Sequence, residues 1–434
     1  MKSPSYYITT LGCPKNQADS REMERSLSQE GYIRTDSADQ ADVHLINSCA
    51  FIEDARVETI RTVLDAGKVK KKHKKQKLVL VGCFTERYAD TVRAELPEID
   101  FSFGTGIYHK AGELIRNAFG LSVGLEPVSP FFEMQAQGKP YAPVKISDGC
   151  DRGCSFCAIP LFRGKFRDIP ADEIIAECER LAAQGVREVF LVSQDSNSYG
   201  GKPEAYLDLV ERIHEVQGLH WIRMLYMYPD GKTERILEGM RTRSMPKVVP
   251  YLESPVQHAS ESVLRAMRRI GSSERFADLF ALARDVMPGC EVRTSILLGF
   301  PGETDADVEK VEQFIATAKP EKLALFSYSP EEGTPGAEMS AQIVPEIIAD
   351  RIRRVQGVHR SVQSEHLRSL VGTTFQCMVD ESSAEEVVLR RPQDAPEADG
   401  VVYAEPKSRL LHSGDLVNVE ITGFTEYDLT GVIT

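Results

Sequence analysis

The chain has 434 residues, 42% of them apolar and 27% charged, a composition that supports several buried cores and excludes a disordered or fibrous protein. Sixty-five acidic against 52 basic side chains leave a net charge of −13, which disfavours wholesale nucleic-acid binding and suits a basic partner. No apolar run approaches the ~18 residues of a membrane span, and Met1–Thr10 lacks the apolar core and cleavage site of a secretory signal, so a cytoplasmic protein without membrane contact is expected.

Residues 1–138 alternate strand-like and helix-like patterns. Tyr6–Thr10, Val43–Asn47 and Leu78–Gly82 read as strands, each followed by an amphipathic stretch: Asp19–Gly31, Ile52–Ala66 and Thr85–Leu96. This βαβα order predicts an N-terminal domain with a parallel sheet. Lys68–Lys77 holds seven lysines and a histidine, either a solvated helix end or a contact with RNA phosphates. Val128–Ala142 reads as a linker. In residues 139–368 the expected strands are Pro143–Ser147, Glu188–Val192, Ile222–Tyr226, Val248–Glu253, Val292–Leu298 and Leu323–Ser327. Helical stretches such as Asp172–Ala183, Tyr206–Val216 and Asp305–Ala318 separate them. Six β/α units predict an open, partial (β/α)6 TIM-like barrel, with 345–368 as one long helix after it. Residues 369–434 change character. Phe375–Val379, Glu386–Leu389, Gly400–Ala404, Leu416–Ile421 and Leu429–Ile433 predict a small five-stranded β-barrel. Its twelve Asp/Glu against four Lys/Arg place −8 of the net −13 in this tail. The fold class expected is α/β, with three domains at 1–138, 139–368 and 369–434.

Nine cysteines in a reducing compartment point to metal ligation or redox chemistry rather than disulfides. Cys150-Asp-Arg-Gly-Cys154-Ser-Phe-Cys157 places three thiols within eight residues, in a loop directly after a predicted strand. Such density favours zinc or an iron–sulfur cluster. With three local ligands, either a cluster keeps one iron open or a remote histidine completes a zinc site. A second triplet is scattered: Cys13, Cys49 and Cys83 each follow a predicted strand. In a parallel sheet those strands finish at one edge, so the three converge on one crevice unless they are separate buried thiols. Cys178, Cys290 and Cys377 fit no triplet and read as packing residues. Gln194 and Asp195 stand just beyond a strand and Arg293 at the start of another, as ligand contacts or as structural pairs. Gly299-Phe-Pro-Gly302 reads as a turn before a helix.

The C-x3-C-x2-C loop, with Phe156 before its last cysteine, resembles that of the radical S-adenosylmethionine superfamily. The resemblance implies a [4Fe–4S] cluster on Cys150, Cys154 and Cys157, its open iron chelated by the amino and carboxylate groups of S-adenosylmethionine. One electron then cleaves that cofactor to methionine and a 5′-deoxyadenosyl radical. It further implies Phe156 near the adenine, Gln194 and Asp195 near the amino group or ribose, and Arg293 facing a carboxylate. The segments Leu11–Gln17, Ile159–Lys165, Ser193–Ser196, Arg223–Pro229, Ser254–His258, Arg293–Thr304 and Tyr328–Thr334 extend the likeness over nearly the whole chain to the methylthiotransferases. That family implies a second, auxiliary [4Fe–4S] cluster on Cys13, Cys49 and Cys83 that carries the sulfur to be inserted. It also implies S-adenosylmethionine used both as methyl donor and as radical source, a reducing electron donor, and a TRAM domain in the tail for substrate recognition. Ser48 and Ala50 stand where the family more often has Thr and Gly, and Leu161-Phe162 are bulkier than usual.

Two branches of that family differ in substrate, one modifying an aspartate in small-subunit ribosomal protein 12, the other an adenosine in transfer RNA. A −8 barrel repels phosphate and attracts a lysine- and arginine-rich protein, and Asp394–Gly400 and Glu426–Leu429 resemble segments of the protein-modifying branch. The expected reaction replaces a β-carbon hydrogen of aspartate by a methylthio group, giving 3-methylthioaspartate, with nucleic-acid contact secondary. A non-enzymatic alternative makes the chain an iron–sulfur carrier or scaffold.

Overall fold

The computed structural model describes residues 3–121, 138–406 and 411–434. It divides into two compact units, one of Met1–Gly138, Gly149–Asp151 and Ala158–Phe166, the other of Lys139–Asp148, Arg152–Cys157 and Arg167–Thr434. Pieces of the cysteine loop group with the first unit, and the tail shares the second with the barrel.

The first unit is built on a parallel sheet of β1 (Ser5–Thr10), β2 (Ile33–Arg34), β3 (Val43–Ser48), β4 (Lys77–Gly82) and β5 (Phe101–Phe103), in the order β2-β1-β3-β4-β5. β3 is buried along its whole length, as a central strand covered on both faces must be. Side-chain alternation sorts β4 between two cores. Leu78 and Leu80 pack with Val63 and Ala66 of α2 (Glu53–Lys72) and with Phe84. Val79 and Val81 pack with Met23 and Leu27 of α1 (Pro14–Gln29). Among the described residues, the unit's further α-helices are α3 (Cys83–Arg87), α4 (Ala89–Glu95), α5 (Ala111–Phe119) and α6 (Ile159–Arg163). Lys70–Lys72 form the last turn of α2, where cations complement the helix dipole, and Lys71, Lys72, Lys74 and Lys75 are exposed.

In the second unit six strands run parallel: β6 (Tyr141–Lys145), β9 (Glu188–Val192), β10 (Trp221–Met224), β11 (Tyr251–Glu253), β12 (Glu291–Leu298) and β13 (Lys322–Ser327). The pair β7 (Ser147–Asp148) and β8 (Arg167–Asp168) lies between the first two. An isolated Ile222–Val248 bridge, with the Met227 amide donating to the Glu253 carbonyl at 3.0 Å, joins the two halves into one six-strand series. No pairing closes β13 onto β6 among the described residues, so the barrel is partial, as expected. Helices α7 (Ala171–Ala183), α8 (Pro203–His214), α9 (Gly231–Met240), α10 (Glu261–Ala266), α11 (Ser273–Val286) and α12 (Asp305–Ala318) connect the strands, and α13 (Pro345–Leu370) follows. A Thr304–Asp307 capping box starts α12. The expected linker lies mostly outside the described residues, and its last members, Tyr141 and Ala142, open β6.

The tail closes into a barrel, β14 (Thr374–Ser382), β15 (Val387–Arg390), β16 (Val402–Ala404), β17 (Leu416–Phe424) and β18 (Leu429–Ile433), ordered β14-β15-β16-β18-β17. Residues from 390 to 399 hold the amino ends of the larger barrel. Arg390 Nη1 donates to Glu188 Oε2 at 2.6 Å, Arg391 Nη1 to Glu291 Oε1 at 2.8 Å, and the Tyr251 hydroxyl to Asp399 Oδ2 at 2.9 Å. Glu188, Tyr251 and Glu291 each open their strand. With that end occupied by structural ion pairs, the carboxyl ends are left to functional loops. No helix among the described residues is long and apolar enough to cross a membrane.

Candidate metal centres

Within the first unit, β1, β3 and β4 end together: Thr10 pairs with Asn47, and Ser48 with Gly82. The chain leaving each strand delivers a cysteine at that edge. Cys13 is the N-cap of α1, Cys49 follows β3 directly, and Cys83 is the first residue of α3. Gly12 and Gly82 hold φ of +83° and +94°. A Cβ on Gly12 would sit 2.8 Å from Cys49 Cβ and 3.0 Å from its Sγ, and one on Gly82 would sit 2.6 Å from Asn47 Oδ1, so only glycine lets the backbone approach this closely. The Ser48 hydroxyl donates to the Val81 carbonyl at 2.5 Å and accepts from the Phe84 amide at 3.3 Å.

A buried polar lattice supports this edge. Asn16 Nδ2 donates to the Leu11 and Ser48 carbonyls at 2.8 and 3.1 Å, and Asn47 Nδ2 to the Asn16 carbonyl at 2.8 Å and Ser20 Oγ at 2.9 Å. Arg163, from α6, donates to Asp19 Oδ2 at 2.7 Å and Asn16 Oδ1 at 2.9 Å, with side chains 2% and 0% exposed for the Arg–Asp pair. Burial pushes the Cys83 thiol up to about 12 and raises that of Cys49; the Arg163 cation pulls both back only in part, and the charges of Cys13 and Cys49 push Cys83 higher. The three sulfurs thus share one electrostatic environment. Ionising Cys49 and Cys83 calls for a strong local cation, which metal ligation supplies. No three His, Cys, Asp or Glu side chains among the described residues are grouped to hold a single metal ion. The thiolates of a cubane each take a different iron, so they need one common edge rather than one common point. Soft donors without a fourth local ligand fit an iron–sulfur cluster.

The Cys150–Cys157 loop is closed at its base by the pairs Ser147–Asp168 and Asp148–Arg167 of β7 and β8. All three cysteines are partly exposed. In the first unit, the Cys150 amide donates to the Gly164 carbonyl at 3.2 Å. In the second, Ser155 is pinned through its hydroxyl to the Ala266 carbonyl at 2.8 Å and through its amide to the Met267 carbonyl at 3.1 Å. Phe156 packs against the cluster of Val263, Met267, Leu297, Phe300 and Tyr328, which anchors the loop.

A charged frame surrounds Cys154. Arg152 Nε and Nη2 grip Asp195 at 2.6 and 3.1 Å, and its Nη1 reaches Asp230, the N-cap of α9, at 2.7 Å. Arg152 and Arg269 both stack on the Tyr228 ring, at 3.9 and 4.2 Å, and Arg269 Nη1 lies 3.5 Å from Cys154 Sγ. Gln194 keeps Oε1 buried without a hydrogen-bond donor, an acceptor of the kind native interiors rarely leave over. Gln194 and Asp195 follow β9, and Tyr228 follows β10, so they stand on the same carboxyl edge as the cysteine loop. Arg293 does not. It sits near the amino end of β12 and does face a carboxylate, but that of Asp399, to which it is paired, while it also donates to the Ala398 carbonyl at 3.1 Å. It lines a cavity of about 500 Å³ between α13, β12, β13 and the tail.

Cys178, Cys290 and Cys377 are buried. Sequence reasoning passed over Arg152, Tyr228, Arg269, Asn16, Asp19 and Arg163. Arg152 and Arg163 lie inside motifs it singled out; the pairing of Asp19 with a residue 144 positions away has no local signature.

Three families match successive stretches: Uncharacterized protein family UPF0004 over residues 5–104, the Radical SAM superfamily over 144–315 and the TRAM domain over 371–434. Curated relatives described as ribosomal protein uS12 methylthiotransferase RimO match end to end. The protein from Leptospira biflexa serovar Patoc is 45% identical, covering 98% of this chain and 96% of its own. Those from Anaeromyxobacter sp. (strain Fw109-5) and Trichlorobacter lovleyi are 36% and 37% identical, covering 99% and 97% of this chain and 93% and 96% of theirs. Among solved structures, the radical S-adenosylmethionine methyltransferase TsrM from Kitasatospora setae aligns with a TM-score of 0.58 over 84% of this chain and 91% of its own, at 12% identity, a likeness of fold. On the strength of the full-length relatives, the chain belongs to the RimO family of ribosomal protein uS12 methylthiotransferases.

Proposed function

We propose that this chain is a radical S-adenosylmethionine methyltransfer and sulfur-insertion enzyme that places a methylthio group on the β-carbon of an aspartate in ribosomal protein uS12. The observation that carries the reading is the second triplet. Cys13, Cys49 and Cys83 meet at one sheet edge, above a buried Arg163–Asp19 pair, in a chain that already has a three-cysteine loop. Radical generation alone needs one such set; a sulfur-bearing second set suits methylthiolation. The names of the full-length relatives support the same substrate.

In this reading Cys13, Cys49 and Cys83 hold one [4Fe–4S] cluster, and Cys150, Cys154 and Cys157 another, which binds S-adenosylmethionine. When bound, these groups supply the carbon radical and the sulfur that an unactivated C–H bond demands. The protein's own part is positioning. Phe156 and the Ser155 backbone fix the loop, Gln194 offers its buried acceptor to a cofactor donor, and Asp195 is held rigid by Arg152. Arg293, committed to Asp399, is left out of the cofactor set. The acidic tail attracts a basic protein. A one-electron donor is required, and a reducing cytoplasm suits nine free cysteines.

Mass spectrometry of uS12 from cells lacking this chain tests the reading. Loss of one methylthio increment, restored by the wild-type gene but by neither Cys13→Ala nor Cys150→Ala, is the expected result. Unchanged uS12 beside an undermodified transfer RNA adenosine overturns the substrate assignment. Failure to form 5′-deoxyadenosine anaerobically with S-adenosylmethionine and dithionite favours a carrier or scaffold.

A further inference from the structure

Arg269 is 8% exposed, and among the described residues no carboxylate pairs with it. A guanidinium so deeply buried is costly unless a negative group answers it. Its contacts are unusual for such a cation. Nη2 donates to the Pro255 carbonyl at 2.5 Å, Nε is buried without a hydrogen-bond partner, the plane stacks on Tyr228 at 4.2 Å, and Nη1 points to Cys154 Sγ at 3.5 Å. Tyr228 is itself fixed by Arg152, whose guanidinium is gripped by Asp195 and Asp230. The whole stack is braced against movement and delivers one N–H and one positive charge to the sulfur of a single loop cysteine.

We propose that Arg269 is a positioning residue that supplies the countercharge for the cluster on the Cys150–Cys157 loop and sets its reduction potential. The inference rests on the assignment of a cluster to that loop. An iron–sulfur centre with thiolate ligands is anionic, and one-electron reduction by an external donor adds a further negative charge. A fixed cation and a hydrogen bond to a ligand sulfur stabilise the reduced form more than the oxidised one and raise the potential. Carbonyl and ring contacts hold the guanidinium without neutralising it, so its charge stays available to the cluster. A carboxylate in their place would cancel that effect.

The test is a potentiometric titration, followed by electron paramagnetic resonance, of the anaerobically reconstituted full chain. It reads the reduced-cluster signal that changes on addition of S-adenosylmethionine. Arg269→Gln at wild-type iron content should make reduction about tenfold less favourable, a shift of about 59 mV to more negative potential for a one-electron couple. Arg269→Lys, which keeps the charge without the planar fork, should fall between the two. An unchanged midpoint in Arg269→Gln overturns the inference. If Arg269→Gln takes up no cluster, Arg269→Lys decides: a cluster whose midpoint lies below the wild-type value by less than about 59 mV supports countercharge, and loss of iron there too assigns the residue to packing. A wild-type chain with no S-adenosylmethionine-responsive signal removes both this inference and the cluster assignment. Unmodified uS12 beside the expected shifts removes only the substrate.

Discussion

At Gly12 a hydrogen stands where any other residue would place a carbon 2.8 Å from Cys49 Cβ. Gly12→Ala therefore meets two penalties, a positive φ and a collision with the Cys49 side chain, whereas Gly120, at φ +62° with nothing within 4 Å, meets only the first. Gly120→Ala should cost about 1–2 kcal/mol and leave iron content intact. Gly12→Ala should in addition strip the iron proposed to sit on Cys13, Cys49 and Cys83, measured as iron per chain after anaerobic reconstitution; equal iron in both variants would count against a cluster at that edge. Beneath it, Asp19 and Arg163 are a buried pair whose halves cannot be removed singly at low cost. Asp19→Ala should lower the stability of the iron-free chain by about 3–5 kcal/mol in urea unfolding of the first unit, because it strands a guanidinium, and adding Arg163→Met should recover most of the loss. A double variant as unstable as the single one would mean that the lattice around Asn16, not charge balance, is what matters.

Elements bury groups that make stability depend on pH. His44 on β3 and His359 on α13 are each held down at about 4 by burial, against about 6.5 in an unfolded chain. Their folded forms are neutral, so the unfolded chain binds more protons between those values. Stability from this source is complete above about 6.5 and is lost as pH falls toward 4, by up to about 3 kcal/mol per histidine. His359→Leu should flatten that acid loss for the second unit, seen in urea midpoints at pH 7, 5.5 and 4.5; a parallel curve for the variant would show that His359 is protonated in the fold. The elements themselves were legible where pattern and ends agreed. Glu188–Val192, Asp305–Ala318 and Leu429–Ile433 match residue for residue, and the second of these starts at a capping box. β2, with two residues, and β5, with three, are too short to display alternation. They exist because the central strands offer an edge to pair with. The strand expected at Val248–Glu253 shrinks to Tyr251–Glu253, since Pro250 has no N–H to give a ladder. The Cys150–Cys157 spacing shows in a local window and Cys13, Cys49 and Cys83 show only by their common place after strands, whereas Arg163 and Arg269 meet Asp19 and Cys154 across 144 and 115 positions, which no window spans.

Across the molecule charge is uneven, with −8 of the net −13 in the last 66 residues. Arg390 and Arg391 fasten that tail to Glu188 and Glu291 at the amino ends of the larger barrel, so the acidic surface is a fixed part of the second unit rather than a swinging appendage. A fixed field acts on encounter: it raises the association rate of a basic partner and fades when salt shortens the Debye length from about 10 Å at 0.1 M. Glu381, Glu385 and Glu386 are exposed on or beside β14 and β15, far in sequence from both cysteine triplets and outside the ion pairs that fasten the tail. Replacing all three by Gln should lower kcat/KM for uS12 about tenfold at low ionic strength, roughly 1.4 kcal/mol of steering, while kcat at saturating substrate stays at the wild-type value. The gap should close as salt rises, since screening removes from the wild type what the substitutions remove from the variant. A deficit that persists at high salt would locate the effect in a direct contact of these side chains, and no deficit at any salt would move substrate recognition off this face of the tail.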